Sequence, residues 1–423
     1  MTAERTQSIL EKKITRRDML KTAGVGGMGM LLGASGMGGV LTAMGAQPFS
    51  DDNPSAKNKV NFYGPNQSGI LTKNPEHVYF VALNVTAKSK NELKELFQVW
   101  TEASVRMMNG EMKGNSDNTL LPPHDTGETE GLDASRLTLT FGVGPSLFEK
   151  PELGLIHQRP KELKDLPHFP KDQLDPQYVG GDLCIQACAD DPQVAFHAVR
   201  NLIRDARGKV TMKWAQTGFN TYPVKKGKKE TPRNLFAFKD GTANPNVDDK
   251  KEMNDVVWIQ PGESKAWLTG GTYLAVRKIQ MHLETWDRTA LGEQEAAFGR
   301  HRDSGAPLGK SNEFDSVELD RMDEKNQPIT PADSHVYLAK QVKDRILRRS
   351  FSYSNGIRPD TGAFDAGLVF ISFQKNPNQF INIQNSLGRA DKLNEYITHR
   401  GSGLFACFPG VKKGSYLGAA LFE

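Results

Sequence analysis

Four places in the chain hold side chains of the types that proton transfer, metal ligation and charge stabilisation use. The first is Asn234 to Pro245, reading N-L-F-A-F-K-D-G-T-A-N-P. Its short apolar run, Leu235 to Phe238, reads as a brief buried segment ending in a tight turn that presents the Asp240 carboxylate at a fixed place. Gly241 permits a positive φ or a close backbone approach, and Asn244-Pro245 stops the chain from continuing as helix. The second is His335, which opens the run H-V-Y-L-A after a long polar, acidic loop over 311–334. The third is I-L-R-R-S, where Arg348 and Arg349 follow an apolar pair, and the fourth is Asp365, just before G-L-V-F-I. Taken singly, each has a plain structural reading. Asp240-Gly241 is a hairpin turn, His335 a partly exposed histidine, the arginines a solvated or salt-bridged pair, and Asp365 a turn acid.

The elements that must position these groups come from a chain of 423 residues, long enough for two cores. Charged residues at 25% and a mean hydropathy of -0.53 describe a soluble, folded protein. The net charge of +4 sits mostly at one end. Residues 1–46 carry six Lys/Arg against three acids, leaving only +1 for the rest, so nothing asks for nucleic acid or an anionic membrane as partner. Within that end, T-R-R-D-M-L-K (15–21) is a twin-arginine motif, followed by an uncharged, glycine-broken stretch over 22–46. It predicts export by the twin-arginine route, with an uncleaved membrane anchor as the alternative. That route carries folded proteins, which suggests that a cofactor is loaded before export. Cys184 and Cys188 share one strand-like run and lie roughly 13 Å apart, too far to bridge. Cys407 has no evident mate, and no C-x-x-C is present, so three buried small hydrophobes are expected.

Hydrophobic periodicity predicts a linker over 47–74, then strands over 77–85, 136–143, 182–189 and 209–218, with helices over 90–110 and 192–205. The second half reads as strand 272–282, helix 293–302, a short extended run 335–339, strand 367–373 with a helix after it, and a closing stretch from 403. Asp182–Leu202 can be laid on Gly367–Leu387, matching Pro192 to Pro377 and Leu202 to Leu387. Each copy is a buried strand, a polar turn, a proline early in a helix, and an amphipathic helix. The fold class is therefore α+β: two ferredoxin-like domains, 75–225 and 226–423, with antiparallel sheets packed together.

The ordered set A-F-K-D-G-T-A-N-P, S-H-V-Y-L-A, R-I-L-R-R and F-D-A-G-L-V-F resembles the signature of the dye-decolourising haem peroxidases. L-T-L-T-F-G-V-G-P-S-L-F (137–148) and the stretch 282–309 are similar too, so the likeness spans nearly all of the chain after the leader. With its twin-arginine motif the chain is most similar to the exported members that serve bacterial ferrous-iron uptake and combine peroxidase with deferrochelatase activity. Two departures stand out: Ala237 replaces the first glycine of G-F-x-D-G, and Ser350 stands where some members carry Asn beside the arginine. A small side chain is expected to suffice at 237.

The resemblance implies a dimeric α+β barrel type of fold with non-covalent haem b in the second half. It implies His335 as the axial iron ligand, with Asp365 accepting its other N–H. Asp240, while ionised, would take the proton from the iron-side oxygen of H2O2 and pass it to the leaving oxygen. Arg348 would stabilise the charge developing as the O–O bond breaks, a contribution of ~3 kcal/mol. Lys239 and Thr242 would contact the haem or its propionates. The other histidines read as structural, with His301 next in line should His335 not be the ligand. The implied reductant is a small molecule or Fe(II), and the implied partners are an iron permease and an iron-binding lipoprotein of an uptake system, in a chain compatible with homo-oligomers. The alternative is an exported haem or iron carrier, which needs the axial ligand but no Asp240 or Arg348.

Overall fold

The computed structural model describes residues 58–114, 118–225 and 227–423. The chain divides into two compact units, Met1–Ala56 and Lys57–Glu423. The first, with the leader expected over 1–46 and the start of the expected linker, lies outside the described residues.

The first half of the second unit runs β1 (His77–Val85), α1 (Lys90–Met108), β2 (Thr138–Val143), β3 (Leu183–Ala189), α2 (Pro192–Asp205) and β4 (Val210–Phe219). Its sheet order is β2-β3-β1-β4, all antiparallel. The second half supplies β5 (Thr272–Met281), α3 (Leu291–Phe298), α4 (His335–Gln341), β6 (Phe351–Ile357), β7 (Phe364–Gln374), α5 (Pro377–Ala390) and β8 (Ile397–Cys407). Here the order is β8-β5-β7-β6, so each half repeats the ferredoxin-like strand order. The repeat legible in the sequence holds. Pro192 and Pro377 each occupy the first turn of a helix, capped by Asp191 and by an Asn376–Gln379 capping box.

The two half-sheets do more than pack face to face. They join edge to edge at β2–β8 and β4–β6, and the β5–β7 pairing closes eight strands into a barrel. Closure explains why every residue of β5 is buried although its sequence alternates. One face fills the barrel with Phe80, Trp214, Val276, Phe351, Ile371 and Phe405, and the other lies under helices and loops. Large apolar side chains of this kind contribute about 1.5–3 kcal/mol each on full burial. Polar residues on β5 are accommodated individually. Arg277 is ion-paired with Asp172, and the Lys278 ammonium lies 4.0 Å from the ring centre of Tyr178.

All three cysteines are buried and free, as expected. Cys184 and Cys407 pair with Gly142 from either side, and their thiols meet over this glycine in a hydrogen bond. Burial pushes the Cys184 thiol up.

Two expectations need correction. The described part of the 47–74 linker is built into the fold: Phe62 and Ile70 are buried, and the Gln67 amide bonds Phe141 and Phe408 backbone at 2.9 Å. The run opened by His335 is helical rather than extended. Ser334 caps it by accepting from Tyr337 N, and α5 packs beside it through Ser386 Oγ to Leu338 O at 3.0 Å. Capping and packing outweigh the extended preference of Val336 and Tyr337.

Closure depends on close backbone approach at Gly367, where a Cβ would fall 1.9 Å from the Ile279 carbonyl oxygen. Gly367→Ala is expected to lower stability by about 1–3 kcal/mol, the usual cost of overpacking. A thermal unfolding midpoint unchanged from the parent chain would remove Gly367 from the closure argument.

Candidate active site

The loop from Asn234 is folded by its own side chain. Asn234 Oδ1 accepts from Phe236 N at 3.1 Å and Phe238 N at 3.2 Å, while its backbone N–H reaches Phe238 O at 2.9 Å. The two phenylalanines anchor the turn: Phe236 stacks on Trp286 at 4.4 Å and Phe238 on Phe298 at 3.9 Å between ring centres. Ala237 between them has φ 66°, in the left-handed region. The family's glycine there answers a backbone requirement, so a small side chain alone does not satisfy the position.

Past this anchor, Asp240 N donates to Pro232 O at 2.9 Å, and the carboxylate faces a cavity of about 340 Å³ that Arg348 and Leu368 also line. Arg348 lies on the two-residue strand Leu347–Arg348, paired to β7. Its Nη1 donates to Asp240 Oδ1 at 3.2 Å. Asn244 clamps the Arg348 backbone in both directions, Oδ1 accepting from N at 3.1 Å and Nδ2 donating to O at 2.8 Å. One loop thus supplies the carboxylate and positions the guanidinium. Both side chains stay about a fifth to a quarter exposed. A pair so exposed adds at most ~1 kcal/mol to stability, and what it provides is a proton-accepting group beside a fixed positive charge.

His335 occupies the first turn of α4, and its Nδ1 donates to Asp391 Oδ2 at 2.6 Å. Asp391 is buried at the end of α5, its other oxygen held by Leu393 N at 2.9 Å. Asp391, not Asp365, is therefore the partner of His335. Asp365 lies on β7 and pairs with Asn355 Nδ2 at 2.9 Å. No local pattern marks Asp391, which is 56 residues from the histidine and reads as an ordinary helix-end acid. The hydrogen bond leaves Nε2 as the free ring nitrogen, and the side chain is 33% exposed. The ring sits 6.5 Å from that of Phe298, the same ring that stacks on Phe238. The Asp240 loop and the His335 helix thus meet through one apolar cluster, which also includes Leu368.

Lys239 and Thr242, expected beside the haem, have another partner. Lys239 Nζ at 2.5 Å, Thr242 Oγ1 at 2.9 Å and Thr231 Oγ1 at 2.5 Å converge on the Glu313 carboxylate. Glu313 belongs to the acidic loop before α4, where the sequence gives no reason to choose it among its neighbours. Burial opposes its ionisation, but these three donors prevail and hold it below the usual glutamate range. His301 is bonded to Glu295 at 3.0 Å and buried His197 to Glu128 at 2.9 Å.

A single imidazole with one ring nitrogen bound to a carboxylate, an apolar cluster beside it, and a carboxylate–guanidinium pair on the loop that the same cluster anchors form a donor set that fits an iron porphyrin. A closed metal site would need three or four protein ligands. Fold and site together are those of a haem-type peroxidase. Residues 67–220 match the family described as Dyp-type peroxidase, N-terminal, and residues 231–412 the Dyp-type peroxidase, C-terminal. The chain belongs to the Dyp-type peroxidase family. It is 38% identical over 382 residues to the deferrochelatases of Shigella sonnei (strain Ss046) and Escherichia coli (strain K12), covering 88% of this chain and 89% of each of those. Among solved structures it is similar to a DyP-type peroxidase from Cellulomonas bogoriensis, with 35% identity, TM-score 0.78, and 86% and 98% of the two chains covered. The oxyferrous complex of DtpA from Streptomyces lividans gives 34%, 0.80, 89% and 100%.

Two outcomes follow from this geometry. Ala237→Gly relieves the left-handed backbone and is expected to stabilise the protein by about 1 kcal/mol, seen as a higher urea midpoint; an unchanged or lower midpoint would mean no strain is stored there. The folded-state pKa of Glu313 is depressed, so its ionised clamp contributes stability above the ordinary glutamate range and loses it as pH falls through that range to the lower folded value. Urea midpoints measured down this series should fall more steeply for the parent than for Glu313→Gln. Parallel curves would rule the clamp out.

Proposed function

We propose that this protein is an exported haem peroxidase that uses H2O2 and works in iron acquisition. The observation that carries the catalytic part is that the His335–Asp391 pair and the Asp240–Arg348 pair are both built around one apolar cluster. His335 Nε2 would hold the haem iron, with Asp391 fixing the tautomer and raising the basicity of the ring. Haem, when bound, supplies the iron at which peroxide is reduced. Asp240 takes the proton of the incoming peroxide on its carboxylate and returns it to the departing oxygen. Arg348 holds positive charge where negative charge develops, and Asn244 keeps it in reach. Phe238, Phe298 and Leu368 keep the surroundings apolar, which strengthens both effects.

The iron-related part rests on likeness to relatives named deferrochelatases and on the twin-arginine motif at 15–21. On this reading the reductant is Fe(II) or a small molecule, or iron leaves haem with the tetrapyrrole intact. An iron permease and an iron-binding lipoprotein outside the cytoplasm are the fitting partners.

The test is haem titration and peroxide turnover on the parent, Asp240→Asn, His335→Ala and Asp391→Asn. Asp240→Asn should keep the Soret band and lose about 10²- to 10⁴-fold in turnover. His335→Ala should lose or displace the band, and Asp391→Asn should retain haem with turnover about 10- to 100-fold lower. Haem binding with no turnover that depends on Asp240 would make the protein a carrier. Protoporphyrin fluorescence against ferric iron formation, measured on the parent, separates iron release from Fe(II) oxidation.

A further inference from the structure

Arg349 lies next to Arg348 in sequence but has a different environment. It is 2% exposed, and among the described residues no carboxylate pairs with it. Its Nη1 donates to Thr72 O and Asn74 Oδ1, whereas Nε and Nη2 meet no acceptor. A buried guanidinium without countercharge is costly, several kcal/mol in effective terms, unless something completes it. Its nearest titratable neighbours do not. Burial pushes the Cys188 thiol and the Tyr222 phenol up, outweighing the opposite pull of Arg349, so both stay neutral, and the Cys188 thiol offers the guanidinium only a weak sulfur contact.

The second unsatisfied group is adjacent. Ser350 Oγ is buried without a partner, while Asn220 Nδ2 holds the Ser350 carbonyl at 2.6 Å. Arg349 and Ser350 both form part of the wall of the cavity that holds Asp240 and Arg348. The charged side chains of that wall are Lys73, Arg233, Arg348 and Arg349 against Glu230 and Asp240, a surplus of two positive charges. Two guanidinium N–H groups and one hydroxyl suit an acceptor with two oxygens in one plane.

We propose that Arg349 and Ser350 form a carboxylate-binding subsite in the wall of the active-site cavity. The carboxylate comes either from a haem propionate or from an organic acid entering the same cavity. The first source rests on the haem reading above, and the second does not.

The experiment compares haem with haem dimethyl ester in Soret titrations of the parent, Arg349→Leu, Arg349→Lys and Ser350→Ala, alongside thermal unfolding of each apoprotein with and without acetate. If a propionate is the ligand, the parent should prefer haem to its ester by about 10- to 100-fold, the worth of a charge-assisted hydrogen bond. Arg349→Leu should abolish that preference, with Arg349→Lys between the two. If a free acid is the ligand, the preference is unaffected by Arg349, but acetate raises the unfolding temperature of the parent apoprotein and not that of Arg349→Leu. Should Arg349→Leu fail to fold, Arg349→Lys and Ser350→Ala carry the same comparison. Neither a haem-over-ester preference that depends on Arg349 nor an acetate response would mean that ordered water alone completes the guanidinium, and the subsite would be withdrawn. Undiminished haem binding in that case leaves the peroxidase reading standing, whereas a parent that binds no haem removes that reading and leaves the acetate arm to decide this one.

Discussion

The interaction on which the rest depends is the β5–β7 ladder, eight rungs from Gly367–Gln280 to Gln374–Tyr273. Each half of the chain could form a four-stranded sheet by itself, but with exposed edges and one uncovered face. Pairing β5 with β7 sets the core of the second half-sheet, and joining its outer strands to β2 and β4 removes the remaining edges. Helices are then confined to the outside, and the loops that follow β4 and β5 are left to build a site against β7. Gly367 is what lets two backbones approach closely enough at the start of that ladder.

The site that results is held from below by aromatic packing and from the side by one carboxylate. Phe236 and Phe238 fix the Asp240 turn, and Phe298 passes that order on to His335. Glu313 ties Lys239 and Thr242, on either side of Asp240, to the loop that leads into the His335 helix. The Asp240–Arg348 pair and His335 therefore share their supports, although 95 residues separate Asp240 from His335. Residues held this way meet the geometric demands of proton transfer better than isolated loop residues could.

Buried charge is handled in two ways in this fold. Arg277 is matched by Asp172 and covered by the Phe169 ring, and Lys278 lies between the rings of Tyr178 and Tyr353. In both the charge is answered from within the fold, by a carboxylate or by aromatic rings, although Arg277 Nε has no partner. Arg349 differs in lining a cavity and in having no carboxylate paired with it among the described residues, and on the proposal above that difference gives it a binding role.

Much of this was legible in the amino-acid order. The βαββαβ repeat shows because strand period, polar turn and helix-opening proline are local features, as at Pro192 and Pro377. Asp240, His335 and Arg348 show because short ordered motifs carry them. The partner of His335 was not legible: Asp365 sits in a motif and Asp391 does not, yet hydrogen bonding follows distance in space, and the packing of α5 on α4 decides it. Glu313 was hidden for the same reason, one acid among many in a loop without periodicity. The helical state of 335–341 turned on a cap and a neighbouring helix, and the need for a left-handed residue at 237 on a turn closed by Asn234. By itself the sequence determined which segments are strands and helices and which residue types carry chemistry, because those depend on near neighbours. Tertiary structure alone decided barrel closure, the partners of each site residue and the uncompensated charge of Arg349, because these are set by contacts between segments far apart in the chain.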